Sequence, residues 1–264
     1  MPKRILALLL IILVAAFSAC SKEEGKKEEK VDKTEAVISY DEPLDVLEGI
    51  DIYAEDAAVL KNLSEVSKVG QIVELGEYEK IYDEDAKTFV TAPVEWIVVD
   101  IDGENALLLS RYAIDAKPYH SEAEESSWQD STIRIWLNGE FYETAFANSV
   151  FEIIEKDLKN DVGENTKDKV FLLSKAEVEY YFSSEKSKIA KATSAAIKKG
   201  VYAFNGFKDE EAELNGNCRY WLRSSDLNDG GAQRVNGVGK IDKLGFKANT
   251  LQVGVRPAMW VKIK

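Results

Sequence analysis

Residues 217–226 read Asn-Cys-Arg-Tyr-Trp-Leu-Arg-Ser-Ser-Asp, and residues 253–264 close the chain with Val-Gly-Val-Arg-Pro-Ala-Met-Trp-Val-Lys-Ile-Lys. Between them runs a segment rich in Gly, Asn and Asp. Short β-type runs alternate with turn residues throughout this last fifth of the chain. Arg223 and Arg256 each sit among large apolar neighbours, so the region reads as strands around a packed interior.

Strands are also expected upstream. Gln71 to Tyr78 alternates roughly in polarity, and Val94 to Ile101 and Ala106 to Ser110 flank Asp102-Gly103. Asp-Gly supplies the backbone freedom that a tight hairpin turn requires. The middle of the chain reads as helical. Ser131 is placed to cap a short helix whose Ile133, Trp136 and Leu137 share a face, with Gly139 as its stop. Ser149/Glu152 and Ser174/Glu177 both have capping-box spacing and each predicts a helix start. Between them, Lys169 to Leu173 is expected to be a short buried strand. Ser184 to Lys199 is rich in Ala and Lys and predicts one helix ended by Gly200. Val201 to Asn217 reads as a loop. Strands, then helices, then strands argue an α+β fold rather than alternating βαβ units.

The chain begins differently. Lys3 and Arg4 precede a continuous apolar run from Ile5 to Phe17, and Phe17-Ser18-Ala19-Cys20 follows. The run suits a signal sequence and is short for a bilayer span. Small residues before Cys20 resemble the bacterial lipoprotein cleavage box, although Phe17 stands where Leu is usual. That resemblance implies cleavage before Cys20, lipidation of its thiol and stable anchoring through acyl chains. Ser21 to Glu35 is nearly all charged or small and reads as a disordered tether. The expected organisation is a signal peptide over 1–19, a lipidated Cys20 and tether over 20–43, a helical segment over 44–68 and a domain over 69–264. Within 44–68, Ala54 to Val66 is the expected helix, either packed on the domain or part of a stalk. The chain is expected at the cell membrane, lipid-anchored and facing the extracellular side.

Composition narrows the function. The 264 residues carry a formal charge of −13 and a single His. Such an acidic chain lacks the cationic field that nucleic acid needs. One His, His120, excludes His-rich zinc sites, and it reads as an exposed loop residue. If Cys20 is lipidated, Cys218 has no disulfide partner, and its use as a nucleophile would need His120 beside it in space.

Val94-Glu-Trp-Ile-Val, Ile135-Trp-Leu-Asn-Gly with Phe141 and Phe146, Lys169-Val-Phe-Leu-Leu-Ser, Tyr220-Trp-Leu-Arg-Ser and Val255-Arg-Pro-Ala-Met-Trp occur in this order. Together they resemble an uncharacterised domain-of-unknown-function family from exported proteins of clostridia-like bacteria. More distantly, the C-terminal pattern is similar to the C-type-lectin-like fold of the formylglycine-generating-enzyme superfamily. That resemblance implies a mixed domain whose N- and C-terminal strands pair, here Gln71–Tyr78 beside Val255–Ile263. It brings no activity. The active-site cysteine pair of those enzymes is absent, as are the Glu-Pro-Asn, Gln-Pro-Asp and Trp-Asn-Asp motifs of calcium-dependent lectins.

The candidate ligand-binding residues are Arg223, Asp226, Asn228, Asp229 and Arg234. They cluster on a polar segment between two expected strands, where carboxylates, an amide and cations would be carried on a rigid scaffold. Close oxygen ligands followed by Gly suit calcium in chemistry, but the spacing does not fit an EF-hand, and no metal or other cofactor is assigned. Trp96, Trp136, Trp221 and Trp260 read as core, and Trp128, in Ser-Ser-Trp-Gln-Asp, as exposed. No catalytic residue is assigned. A ligand-binding module for a glycan or other cell-envelope partner is the expected role. A cell-wall hydrolase using paired carboxylates and a purely structural lipoprotein are the competing ones.

Overall fold

A computed structural model describes residues 42–122, 126–204, 215–225, 231–242 and 245–264. The described residues all fall within one compact unit. A long hairpin starts it: β1 (Val59–Leu60) lies parallel beside the first residues of β2 (Ile72–Asp83), which pairs antiparallel with β3 (Thr88–Asp102). β3 then turns through Gly103-Glu104 into β4 (Asn105–Ser110), with Asp102 opposite Asn105. Gly103 takes φ 62, the left-handed geometry that makes glycine the natural occupant of this turn.

β5 (Tyr112–Ala113) and β6 (Asp115–Ala116) follow at once. α1 (Thr132–Trp136), a π-helical turn over Leu137–Phe141 and α2 (Tyr142–Ala145) then form one continuous helical stretch. β7 (Ile153–Ile154), β8 (Lys156–Leu158), β9 (Thr166–Asp168) and β10 (Val170–Phe171) come next. After α3 (Lys175–Tyr181) and α4 (Glu185–Lys188) the chain forms β11 (Ala190–Ala192) and α5 (Ser194–Lys199). The end is β12 (Asn217–Cys218), β13 (Tyr220–Ser225), β14 (Ala232–Val235), β15 (Gly254–Val255) and β16 (Ala258–Lys262). The fold is α+β, with its helices in the middle of the chain and a β-rich C-terminal region.

The largest sheet runs β1–β2–β3–β4–β16–β10, with β7 also on β16. Smaller sheets run β12–β11–β5, β14–β13–β15–β6 and β8–β9. The core lies between them. Trp96, Ile97, Val98 and Val99 are successive buried residues of β3, so this strand is covered on both faces. Trp221, Trp128, Phe141, Phe171 and Phe182 fill the space between the sheets and the helices.

Several elements differ from the sequence reading. The hairpin strand and the final strand share the largest sheet but are not neighbours, because β3 and β4 stand between β2 and β16. Residues 54–66 are not a helix: they form β1 and a 3₁₀ turn at Leu63–Glu65. This stretch packs on the domain, with Val66 in the core and Ala57, Val59, Leu60 and Leu63 against it. Ser131 caps α1 as expected, its hydroxyl accepting from the Arg134 N–H, but Gly139 does not end the helix. The chain winds on because Leu137, Phe141 and Ala145 bury on the same side. Ser149/Glu152 starts no helix, since Ile153 and Ile154 are taken by the sheet opposite Val261 and Trp260. Ser174/Glu177 is a complete capping box. The stretch from Ser184 to Lys199 is two short helices split by β11, and Gly200 closes the second at φ 131. β11 wins locally because it bridges two strands, with Lys191 opposite both Asn217 and Tyr112. His120 is half-buried rather than exposed, and its backbone N–H donates to Ala248.

Candidate functional site

The two arginines predicted to meet a ligand are both held inside the fold. Arg223, on β13, is 3% exposed. Its Nη2 donates to both carboxylate oxygens of Glu177 at 2.9 Å, and its Nη1 to the Lys159 carbonyl at 3.2 Å. Glu177 at the same time accepts the Ser174 N–H of the capping box at 2.6 Å. Arg223 therefore ties β13 to the start of α3. Arg234, on β14, donates through Nε to Asp242 at 2.6 Å and lies 3.5 Å from the centre of the Phe246 ring. Asp226, Asn228 and Asp229 lie outside the described residues, as does Cys20. β13 ends at Ser225, whose hydroxyl donates to the Ser126 carbonyl at 3.0 Å.

Other sequence candidates also turn inward. Cys218 is buried on β12 opposite Ala190. Desolvation pushes its thiol up to about 12 against the opposing pull of Arg256, so it remains a neutral thiol at physiological pH rather than a nucleophile. Trp128, expected at the surface, is 1% exposed. Its indole N–H donates to Asp168 at 2.9 Å, where Thr166 and Arg134 also donate at 2.8 and 2.7 Å.

The inward carboxylates share that pattern. Asp168 is paired with Arg134 at 2.7 Å, Glu177 with Arg223 at 2.9 Å and Asp115 with Lys199 at 2.9 Å. Glu95 is paired with both Lys80 and Arg111. Burial opposes ionisation of Glu95, but the hydrogen bonds and charges of those two cations win and hold its carboxyl below the usual range. A general acid needs a carboxyl kept protonated, and Glu95 is held the other way. Among the described residues no group of three His, Cys, Asp or Glu side chains is placed to hold a metal ion.

A groove of about 780 Å³ opens where residues 43–53 cross the domain. Leu47, Ile50, Ile52 and Ile189 give it apolar surface, and Tyr53, Lys186, Lys191 and the carboxylates of Asp45, Glu48 and Asp51 give it a polar rim. The sheet geometry sets that polar side. Asn217 on β12 is opposite Lys191 on β11, and Lys191 is opposite Tyr112 on β5. Paired residues project from the same face, so these three form one row across three strands. Tyr53 lies against the row. Its hydroxyl accepts the Lys191 N–H at 3.1 Å and donates to the Arg111 carbonyl at 2.7 Å, and the residue as a whole is half-buried. Desolvation pushes that phenol up to about 12, against the pull of Arg256. Sequence reading missed this groove because its walls come from segments more than 100 residues apart.

A scan against protein families matches residues 103–263, well over half of the chain, to the family described as Domain of unknown function (DUF6273). The chain belongs to that family. No curated protein and no solved structure matches it. The DUF6273 match begins at the turn between β3 and β4, so β1 to β3 and the Tyr53 wall of the groove lie before it. No helix among the described residues is long and apolar enough to cross a membrane.

Proposed function

We propose that this DUF6273 protein is an exported, lipid-anchored binding module that takes a cell-envelope saccharide in the groove beside Tyr53 and Lys191. The observation that carries the reading is the groove itself: apolar walls from Leu47, Ile50, Ile52 and Ile189, a tyrosine, and charged groups of both signs along its rim. Recognition sites of this kind combine an apolar surface with a few placed polar groups. Aromatic edges and faces suit sugar rings, which present apolar C–H surfaces. Lys3, Arg4, the apolar run to Phe17 and Ser18-Ala19-Cys20 support export and anchoring, on the extracellular side of a membrane. The likeness to exported clostridia-like proteins and to the lectin-like fold of the formylglycine-generating-enzyme superfamily fits the same role. Asp226, Asn228 and Asp229, outside the described residues, are kept as candidate ligand contacts apart from the groove.

The cell-wall hydrolase is the weaker reading, because Asp115, Asp168, Glu95 and Glu177 are each engaged by a cation. A purely structural lipoprotein would leave the groove without a role.

The test is a screen of glycans and peptidoglycan fragments against the purified full chain, repeated with Tyr53→Leu after its melt is shown to match the wild type. Binding that weakens at least fivefold in the variant supports the reading; no binding, or binding blind to Tyr53, ends it. In cells, Cys20→Ser should escape acyl labelling and stay unprocessed, and unchanged labelling would refute the anchor.

A further inference from the structure

The far half of the β2–β3 hairpin has an open edge. β4 pairs with β3 from Trp96 onward, and Arg111, just after β4, donates its N–H to the Glu95 carbonyl at 2.8 Å. Towards the hairpin tip from Glu95, no described strand lies on that side of β3. Both irregularities of the hairpin put the extra residue in β2, so the alternation of β3 runs unbroken from Thr88 to Glu95. The Glu95 carbonyl points to the β4 side, so Pro93, Thr91 and Phe89 turn their backbone groups the same way. Pro93 has no N–H to leave unpaired, and its carbonyl accepts from Lys80 Nζ at 3.2 Å. Phe89 and Thr91 each present an N–H and a carbonyl that the described residues do not engage on this side.

This open stretch is bounded and uncharged. Lys87, at φ 54, ends the turn before it, and Pro93 closes it, which leaves Thr88-Phe89-Val90-Thr91-Ala92. Natural edge strands are blunted by a charge or a proline. Here those devices stand at the two ends of the stretch and none stands within it. The stretch also holds apolar surface in solvent: Val90 is 38% exposed, Ile81 opposite it 46% and Phe89 36%.

We propose that this edge pairs with the same edge of a second copy of the chain, antiparallel, with the two-fold axis at Val90. Val90 is the middle of the open stretch, so this register uses all of it. Each Phe89 then stands opposite the partner's Thr91, and the two exchange both backbone hydrogen bonds. Ile81, Val90, the partner's Val90 and the partner's Ile81 form one row across four strands. Side chains of such a row pack together on one face of the sheet, which takes the exposed Ile81 and Val90 out of water.

The charges agree with this register. Lys87 falls opposite the partner's Pro93, which brings the acidic turn of Glu84 and Asp85 towards the partner's Lys80. Lys80 and Arg111 share a single carboxylate, Glu95, so that end of the edge carries a cation in excess. A second copy thus supplies both a stretch of matching length and the opposite charge. The contact uses the same patch on both chains, so it closes as a dimer. A strand pair this short buries less than a standard interface, which makes the dimer weak and dependent on concentration.

Sedimentation of the purified full chain, in detergent matched to the solvent density, should show monomer giving way to dimer over about a hundredfold rise in concentration. Val90→Lys and Val90→Glu should each weaken the dimer about tenfold or more, because the axis sets like charges against each other. Mixed in equal amounts, the two variants should recover it. Val90 is exposed, so both variants should melt like the wild type. Under mild oxidation Val90→Cys should link two copies. Asp85→Cys, roughly 30 Å from its own copy at ordinary strand rise, should not. A wild type that stays monomeric throughout, a dimer indifferent to charge at Val90, or a mixture no stronger than its components overturns the inference. So does a disulfide that forms as readily through Asp85→Cys.

Discussion

Asp168 shows how much of this interior is organised by single polar residues. It is 2% exposed, yet it accepts from Trp128, Thr166 and Arg134 within 2.9 Å, with Asn138 at 3.4 Å. The residue ties α1 to β9. It also explains why Trp128 is not at the surface: a polar stretch around a tryptophan reads as exposed, but the indole N–H needs a buried acceptor, and that acceptor lies 40 residues away. No local pattern reveals it. Asp168→Ala should cost about 1–3 kcal/mol, because it strands a buried indole donor and leaves the half-buried Arg134 without its carboxylate. Urea unfolding followed by tryptophan fluorescence measures this; a loss below 1 kcal/mol would mean that the network is incidental. Arg223 carries a similar lesson. Its apolar neighbours Trp221 and Leu222 were a fair sign of burial, whereas the bidentate partner Glu177 was visible only as a capping residue.

At the scale of elements, legibility followed how much of each element's stabilisation is local. The β3–β4 hairpin was readable because a glycine turn and two apolar runs adjoin in sequence. α1 and α3 were readable at their starts, where Ser131 and Ser174 cap them. The failures were decided by partners far along the chain. Ala190 to Ala192 has helix-forming composition, but Cys218, Asn217, Tyr112 and Ala113 pair with it. Ile153 and Ile154 follow a capping signature, but β16 claims them. The groove inherits this difficulty, since Tyr53, Lys191 and Asn217 meet only in the folded molecule. β16 itself is the clearest test of the long-range view. It pairs with β4 from Ala258–Leu109 to Lys262–Asn105 and also with β10 and β7. Ending the chain after Gly254 removes a strand inside the sheet together with Met259 and Val261, both fully buried. That truncated chain should show no cooperative melt by circular dichroism, and a native-like transition would contradict the sheet order.

For the molecule as a whole, the family boundary and the folding boundary do not coincide. The DUF6273 match covers residues 103–263, but the sheet does not begin there. β3 supplies Trp96, Ile97, Val98 and Val99, all at most 1% exposed, and its register covers β4 from Trp96–Ser110 to Asp102–Asn105. Ahead of it, Val46, Leu47, Ile52, Val66, Ile72 and Val73 are also in the core. A buried Val, Leu or Ile contributes about 1.5–3 kcal/mol, and a typical domain's entire stability is about 5–15 kcal/mol. Removing nine such residues together with Trp96 takes away about as much as that whole margin even at the low end. It also bares the edge of β4, whose Leu107, Leu108 and Leu109 would meet water and invite pairing with other chains. A chain of residues 103–264 should therefore be expanded or aggregated, without a cooperative transition, whereas residues 42–264 should melt in one step. Near-UV circular dichroism and a thermal melt of the two chains decide it. A folded, monomeric 103–264 would show that β4 and β16 are stable without β3, and that the first sixty described residues are an addition rather than half of the central sheet.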